Sequence, residues 1–509
     1  MVNLSAFIRF HALRTPDRLA LVYGDQRITY AGFLDRIERM AGFLHGRGVR
    51  EGDVVAVLMK NSAAFLEIAF AASHIGAVFL PINYRLAAAE VSFITGNAGA
   101  KLIFADAELA PAVADDPRAV LVDTAAQSDG RVLAGTAGAG KDAPVPPMRV
   151  RGTQDLFRLM YTSGTTDRPK GVMHSYENFY WKCMDHVTAL GLSAQDRLLA
   201  VGPMYHVGAF DLPGVAVLWQ GGMICVLRDF DPDTVLAAIE REKLTGAWFA
   251  PVMVGRVLSH PGRERYDVSS LRWAVGGGER TPEQRIRDFT GLFTNARYVD
   301  GYGLTESCSG DTLMEAGREI EKIGSTGRAL AHVEIGIRDE SGTPLPPGEA
   351  GEICLRGPKI TKGYWKDPEK TARSFFGDWF RTGDVGYLDT DGFLFLTDRK
   401  KDMIISGGEN IASSEIERVI FLLPQVVEVA VIAVPDERWG EVPAAVVVLK
   451  EGESLDAEAL DRHCRQHLAG FKLPKRLLIR ESLPRNPSGK VLKRVLRDEL
   501  IPTSQEDTP

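Results

Sequence analysis

Between about residue 5 and residue 105, short apolar runs such as Val54 to Met59 and Lys101 to Ala105 alternate with segments whose apolar residues recur at helical spacing. An apolar run of roughly four to eight residues is strand length, and helices interleaved with such runs bring each strand back alongside its predecessor. The rhythm therefore predicts an α/β fold with a largely parallel sheet. At 509 residues the chain is too long for one hydrophobic core to keep growing, so two or more domains are expected. From Trp379 onward the texture changes to short alternating runs and turns, as in FLFLTDRKKDMIISGGEN, followed by a compact helix and strand pattern to about Leu500. That change places a boundary near Thr397 to Asp402. The segment Gly135 to Pro147, GTAGAGKDAPVPP, has no apolar face to bury and reads as a surface loop. The closing IPTSQEDTP reads as disordered.

Charge and cysteine usage exclude several function classes. The 67 acidic and 60 basic residues, a formal net charge of −7, are spread without a basic block, which leaves no nucleic-acid footprint. Cys183, Cys225, Cys308, Cys354 and Cys464 form no C-x-x-C pair and read as reduced, mostly buried thiols. No basic segment precedes an apolar core at the N-terminus, and no run of about 18 apolar residues occurs, so a cytoplasmic protein without an integral membrane segment is expected. No G-x-S-x-G elbow is present to supply a serine nucleophile of the α/β-hydrolase type.

The most informative stretch is Tyr161 to Gly171, YTSGTTDRPKG, where small and hydroxyl residues follow an apolar strand candidate and precede a lysine. Hydroxyls from Thr162, Ser163, Thr165 and Thr166, backbone N–H groups opened by Gly164, and the charge of Lys170 suit a polyphosphate. A Walker loop needs its lysine directly after a glycine and before a hydroxyl, whereas Pro169 precedes Lys170 and Gly171 follows it. Taken alone, such a run is equally well a solvated loop.

Four further motifs follow in order: DGYGLTES at Asp300 to Ser307, FRTGD at Phe380 to Asp384, DRKKDMIISGGENI at Asp398 to Ile411, and PRNPSGKVLKR at Pro484 to Arg494. With the hydroxyl-rich loop they resemble the motifs of the adenylate-forming superfamily, which spans acyl-CoA synthetases, aryl-CoA ligases, luciferases and peptide-synthetase adenylation domains. The resemblance runs essentially end to end. It is greatest to fatty-acyl and 4-coumarate-type ligases, including the mycobacterial very-long-chain type. It implies a large N-terminal domain, residues 1–397, of mixed, largely parallel sheets with flanking helices. A hinge at 398–402, with Lys401 matching the hinge position, a small α+β C-terminal domain at 403–500 that rotates, and a tail at 501–509 would follow. The implied activity is an AMP-forming carboxylic acid–CoA ligase using ATP, magnesium and coenzyme A on a small-molecule acid.

A carboxylate is a poor electrophile, so joining it to a thiol requires activation, and the site must stabilise charge on phosphoryl oxygens with preorganised cations. By resemblance, Lys490 bridges the acid and the α-phosphate, and Lys170 serves the phosphates with Thr162, Ser163, Gly164, Thr165 and Thr166. Glu306 would bind magnesium, with Thr162 as a second hard oxygen donor. Asp384 would accept hydrogen bonds from the ribose hydroxyls, with Arg399 there or at phosphate. Gly278 and Glu279 of the GGGE run, with Asp300, Gly301, Tyr302, Gly303 and Thr305, would line the nucleotide pocket. His206 would stand beside the reacting carboxylate, where amino-acid-activating relatives generally carry an acidic residue. Ser406, Gly407 and Gly408 would line the pantetheine path once the small domain has turned.

Two residues depart from the pattern: Asp167 where glycine is common, and Asp398 in place of the frequent glycine before the arginine. The acid pocket is expected from Tyr205–Leu212, Trp248–Val252 and Gly276–Gly278, with Gly208, Ala209 and Gly214 leaving room for something larger than acetate. A hydrophobic acid follows, either a medium or long aliphatic chain or a phenylpropenoid such as 4-coumarate or ferulate, with Asp211 as the one polar partner for a ring hydroxyl. The alternative is an adenylating enzyme that passes its acyl group to a carrier protein or another acceptor.

Overall fold

The computed structural model of the protein describes residues 3–123, 144–162, 169–277, 281, 283–399, 402–406, 409–485 and 491–500, without the side chains of Asp398, Arg399 and Asn410. The expected tail and most of the expected loop Gly135–Pro147 lie outside the described residues. Packing divides the chain into two compact units, Met1–Glu334 with Leu355–Phe380, and Ile335–Cys354 with Arg381–Pro509.

The first unit holds two sheets. In one, the strands run in the order Ala119–Val122, Ala100–Asp106, Val54–Leu58, Val78–Pro81, Leu156–Thr162 and Lys170–Ser175. All neighbours are parallel except the last pair, which forms an antiparallel hairpin. Every residue of Val54–Leu58 is buried, as a parallel strand covered on both faces demands. In the other sheet, Arg297–Tyr302, Trp273–Gly277, Gly246–Phe249, Arg197–Ala200, Met223–Val226 and Leu19–Tyr23 are parallel neighbours in that order. Three of the connecting helices start on side-chain caps that satisfy exposed N–H groups. Thr29 accepts from Gly32, Ser62 from Phe65, and Asp231 from Thr234. The helix Ala63–His74 is buried along its whole length, consistent with its apolar sequence AAFLEIAFAASH. The largely parallel α/β reading of this region therefore holds.

The second unit is built on the hairpin Val426–Asp436 and Gly440–Leu449. Side chains alternate across it: Ala430, Ile432, Val434, Ala444 and Val446 pack with Leu483 and Leu496 on one face. Val431, Ala445 and Val447 pack with Ile416, Ile420, Leu460 and Cys464 on the other. Period-two alternation with apolar residues on both faces thus specifies a sheet between helices. The unit also takes in residues ahead of the expected 398–402 hinge. Arg381 pairs with Glu352, and Thr382 Oγ1 donates to the carbonyl of Ile353 at 2.7 Å, so the chain after Phe380 packs with Ile335–Cys354.

Candidate active site

The hairpin Leu156–Thr162 and Lys170–Ser175 puts Thr162 directly opposite Lys170. Ser163, Gly164, Thr165 and Thr166 lie outside the described residues. The Lys170 ammonium donates to Glu306 Oε1 at 3.0 Å and to the Tyr364 hydroxyl at 2.8 Å, and that hydroxyl donates to the same carboxylate oxygen at 2.9 Å. Burial, followed by the nearby Glu306 carboxylate, pushes the Tyr364 phenol up, so it stays protonated and a donor. Thr162 Oγ1 is buried without a hydrogen-bond partner among the described residues. An orphaned hydroxyl beside a carboxylate-bearing cluster is the hard-oxygen donor set that a magnesium ion takes.

Glu306 is anchored from behind. The carbonyl of Thr305 lies 2.6 Å from His174 Nε2, and His174 Nδ1 faces Arg158 Nε and Nη2 at 3.0 and 2.9 Å. A guanidinium only donates, so Nδ1 is the acceptor and Nε2 carries the proton that Thr305 accepts. Burial, then the Arg158 charge, lowers the His174 pKa to about 3, which keeps the ring neutral. Arg158 also donates to Asp211 Oδ2 at 2.8 Å, and Lys182 Nζ lies 3.2 Å from Asp211 Oδ1. All three are at most 1% exposed. Burial alone would raise the Asp211 pKa, but Arg158 and Lys182 together hold it below the usual carboxylate range.

This geometry corrects one expectation. Asp211 is not a partner for a substrate hydroxyl, because each of its carboxylate oxygens faces a buried cation. The room expected at Gly208 and Gly214 is also taken. A Cβ on Gly208 would lie 2.4 Å from the Trp248 indole, as would one on Gly202, and a Cβ on Gly214 would lie 2.7 Å from the Ala209 carbonyl oxygen. Trp248 therefore fills a slot that the two glycines vacate.

His206 caps the short helix Val207–Phe210, its Nδ1 accepting from the Gly208 N–H at 3.2 Å, which leaves the ring proton on Nε2. Asn61 fixes the approach to it, accepting from the Met204 N–H and donating to the carbonyls of Gly202 and Leu227. Tyr205 packs edge-on against Tyr84, with its hydroxyl buried and unpartnered among the described residues.

Gly276 and Gly277 pair with Asp300 and Gly301 across adjacent parallel strands. A Cβ on Gly276 would collide with the Tyr298 hydroxyl at 1.8 Å, so this glycine serves a close internal contact. Gly278 and Glu279 lie outside the described residues, while Asp300, Tyr302 and Thr305 are buried beside Glu306 in sequence and Gly303 stands partly exposed between them. In the second unit, Asp384 stands opposite Arg399 in an antiparallel pair, and its N–H donates to Thr382 Oγ1 at 3.0 Å. Ser406 is buried and paired with Glu409 and Gly440. Lys401, Gly407, Gly408 and Lys490 lie outside the described residues, as does the Arg399 side chain. The structure thus joins Thr162, Lys170, Thr305 and Glu306 around one hairpin. Tyr364 was missed because its stretch, KGYWKDP, carries no hydroxyl run, and only the glycine before it, at φ +138°, hints at a constrained turn.

The family model described as AMP-binding enzyme matches residues 8–365, and that of the AMP-binding enzyme C-terminal domain matches residues 415–490. The chain belongs to the AMP-binding enzyme family. Among its relatives in this family is a feruloyl-CoA synthase of Amycolatopsis sp, 39% identical over 486 residues and covering 96% of each chain. A long-chain-fatty-acid–CoA ligase of Mycobacterium tuberculosis is 38% identical over 511 residues, covering 99% of each. ATP-bound MatB from Rhodopseudomonas palustris matches with a TM-score of 0.90 at 31% identity, over 98% of this chain and 99% of that one. The two-unit α/β architecture is that of the adenylate-forming enzymes, and this AMP-binding enzyme is an AMP-forming acid–CoA ligase. All five cysteines are buried and unbonded, and no helix among the described residues is long and apolar enough to cross a membrane.

Proposed function

We propose that the protein joins a hydrophobic carboxylic acid to coenzyme A through an acyl-adenylate, the acid being a medium- or long-chain fatty acid or a phenylpropenoid such as 4-coumarate or ferulate. The observation that carries the reading is the contact of Lys170, Glu306 and Tyr364 beside the Thr162 hydroxyl, which has no partner among the described residues, a fixed cation with hard-oxygen donors of the kind a polyphosphate and its magnesium require. A feruloyl-CoA synthase and a long-chain-fatty-acid–CoA ligase among the relatives support the two acid classes alike. So do the apolar walls around Tyr205, Phe210 and Trp248.

In the first step an oxygen of the acid attacks the α-phosphorus of ATP, the bond to the bridging oxygen breaks, and pyrophosphate leaves with the electron pair. Lys170 and Lys490 meet the negative charge that spreads over the phosphoryl oxygens. Glu306 and Thr162 would hold magnesium, which when bound would neutralise charge on phosphate oxygens. His206 presents its Nε2 proton to the acid's carboxylate, Asp384 and Arg399 hold the ribose, and Gly278, Glu279 and Asp300–Gly303 line the adenine pocket. In the second step the thiol of coenzyme A loses its proton, sulfur bonds to the acyl carbon, and AMP departs. Residues 403–500 turn about 398–402 between the steps, and Ser406, Gly407 and Gly408 line the pantetheine path.

The test incubates the purified protein with ATP, magnesium and coenzyme A, and follows AMP release across acetate, octanoate, palmitate, benzoate, 4-coumarate and ferulate. The expected result is acid-dependent AMP with matching acyl-CoA for the larger hydrophobic acids, little with acetate, and loss of both in Lys490→Ala. AMP without acyl-CoA would replace coenzyme A by another acceptor.

A further inference from the structure

The chain after Glu306 takes an unusual path. Cys308, Ser309 and Gly310 lie consecutively in the left-handed region, at φ 57°, 69° and 66°. Only the last is a glycine, and residues bearing a Cβ are disfavoured there. The loop also folds back on the nucleotide motif, for a Cβ on Gly303 would lie 2.3 Å from the Gly310 nitrogen. Cys308 and Ser309 are buried, so water does not satisfy the carbonyls that this path turns inward.

Lys359 satisfies them. Its ammonium is wholly buried, donates to the carbonyl of Ser309 at 3.1 Å and to that of Gly310, and stands 3.0 Å from Asp311 Oδ1. Asp311 in turn accepts from the Ser307 hydroxyl. A buried lysine must be paired and hydrogen-bonded to be tolerated, and here its acceptors are all in the segment that follows Glu306. His174 grips the residue before Glu306 through the Thr305 carbonyl. The carboxylate is thus suspended between two buried anchors, and neither touches it.

We propose that Lys359 is a positioning residue of the nucleotide site: it holds the left-handed loop Cys308–Gly310 and thereby sets the Glu306 carboxylate for ATP and its magnesium. This rests on the reading of Glu306 given above. Groups that orient a metal-binding carboxylate typically change metal affinity by about 10–100-fold when removed. A lysine that served stability alone would change the fraction of folded protein and leave the affinity of that fraction intact.

The test is calorimetric titration of ATP, with and without magnesium, into the parent, Glu306→Gln, Lys359→Met, and the double variant Lys359→Met/Asp311→Asn. The double variant leaves no lone buried charge, and an asparagine still accepts from Ser307, so it keeps the test alive if the single variant does not fold. Magnesium is expected to tighten ATP binding in the parent. That gain should fall by about tenfold or more in Glu306→Gln and in the Lys359 variants, with stoichiometry near one in every cooperatively melting variant. A folded double variant that keeps the parent's magnesium gain, while Glu306→Gln loses it, overturns the role of Lys359 alone. A parent-like gain in Glu306→Gln overturns the reading of Glu306, and the role of Lys359 with it.

Discussion

Around Glu306 the side chains are held by charge and hydrogen bonds, with Lys170 and Tyr364 on the carboxylate and His174 on the adjoining carbonyl. Around His206 the wall is held by shape, with the Trp248 indole seated where Gly202 and Gly208 lack side chains. The difference follows from what each region must do. Charge developing on phosphate is stabilised only by dipoles and cations already in place, and these need partners to fix them. A hydrocarbon or an aryl group offers nothing to bond, so contour alone distinguishes it. The two regions meet at Asp211, which follows the His206 helix yet pairs with Arg158 of the phosphate-side hairpin.

That junction is where the comparison breaks most visibly. Asp211→Leu would leave Arg158 and Lys182 buried without their anion, and removing one partner of a buried pair costs about 3–5 kcal/mol. The denaturation midpoint should fall accordingly. A small change would mean that the junction is wetter than its exposure implies. Lys170→Met should come next, lowering adenylate formation by about 10²–10³-fold, or roughly 2.7–4 kcal/mol. Steady-state kinetics should show the KM for the acid unchanged. If that KM rises in step, the two sides are not independent.

On the shape side, Gly208→Ala places a methyl group 2.4 Å from the indole of Trp248. Overpacking of this kind costs about 1–3 kcal/mol. Trp248→Phe removes volume at the same point, so Gly208→Ala/Trp248→Phe should recover much of the loss, a coupling measurable as a double-mutant cycle in thermal melts. Additive losses would show that the indole moves aside freely.

Sequence made the first region legible and left the second closed for the same physical reason. Lys170 and Glu306 lie in motifs whose residue types state their chemistry, and the structure brings them into contact. Arg158 sits in LFRLMY, where one arginine in an apolar run is indistinguishable from an edge residue facing water, until its partners Asp211 and His174 arrive from other elements. A glycine in a sequence does not say whether its space stays open, and at Gly208, in a short helix, Trp248 from the strand Gly246–Phe249 fills it. The division of the chain was hidden for a related reason. Texture changes near Thr397, but Arg381 pairs with Glu352 and Thr382 bonds to the Ile353 carbonyl, a non-local choice that no local pattern records.

The smallest expected effect concerns acid, and it tests whether His174 belongs with the polar region. Burial, then the Arg158 charge, holds its pKa down at about 3 in the folded chain, against about 6.5 for an ordinary imidazole. The unfolded chain therefore binds a proton that the folded chain refuses, and stability present above the unfolded value is lost as pH falls toward the folded one. Lowering the pH from about 7 to about 5.5 should cost roughly 1 kcal/mol through this group alone. Arg158 and Lys182 oppose its protonation and Asp211 favours it, while Thr305 contributes only a carbonyl. His186, His74 and His11 are lowered by burial as well, so the parent's total slope exceeds one group's share. The comparison to make is thus between the parent and His174→Gln, whose amide can both donate and accept in that place without titrating. Melting curves across the interval should run flatter for the variant by about one proton's worth. Parallel curves would mean that the ring takes up a proton in the folded state at ordinary pH, and then Thr305 is held by a cation rather than by a neutral donor.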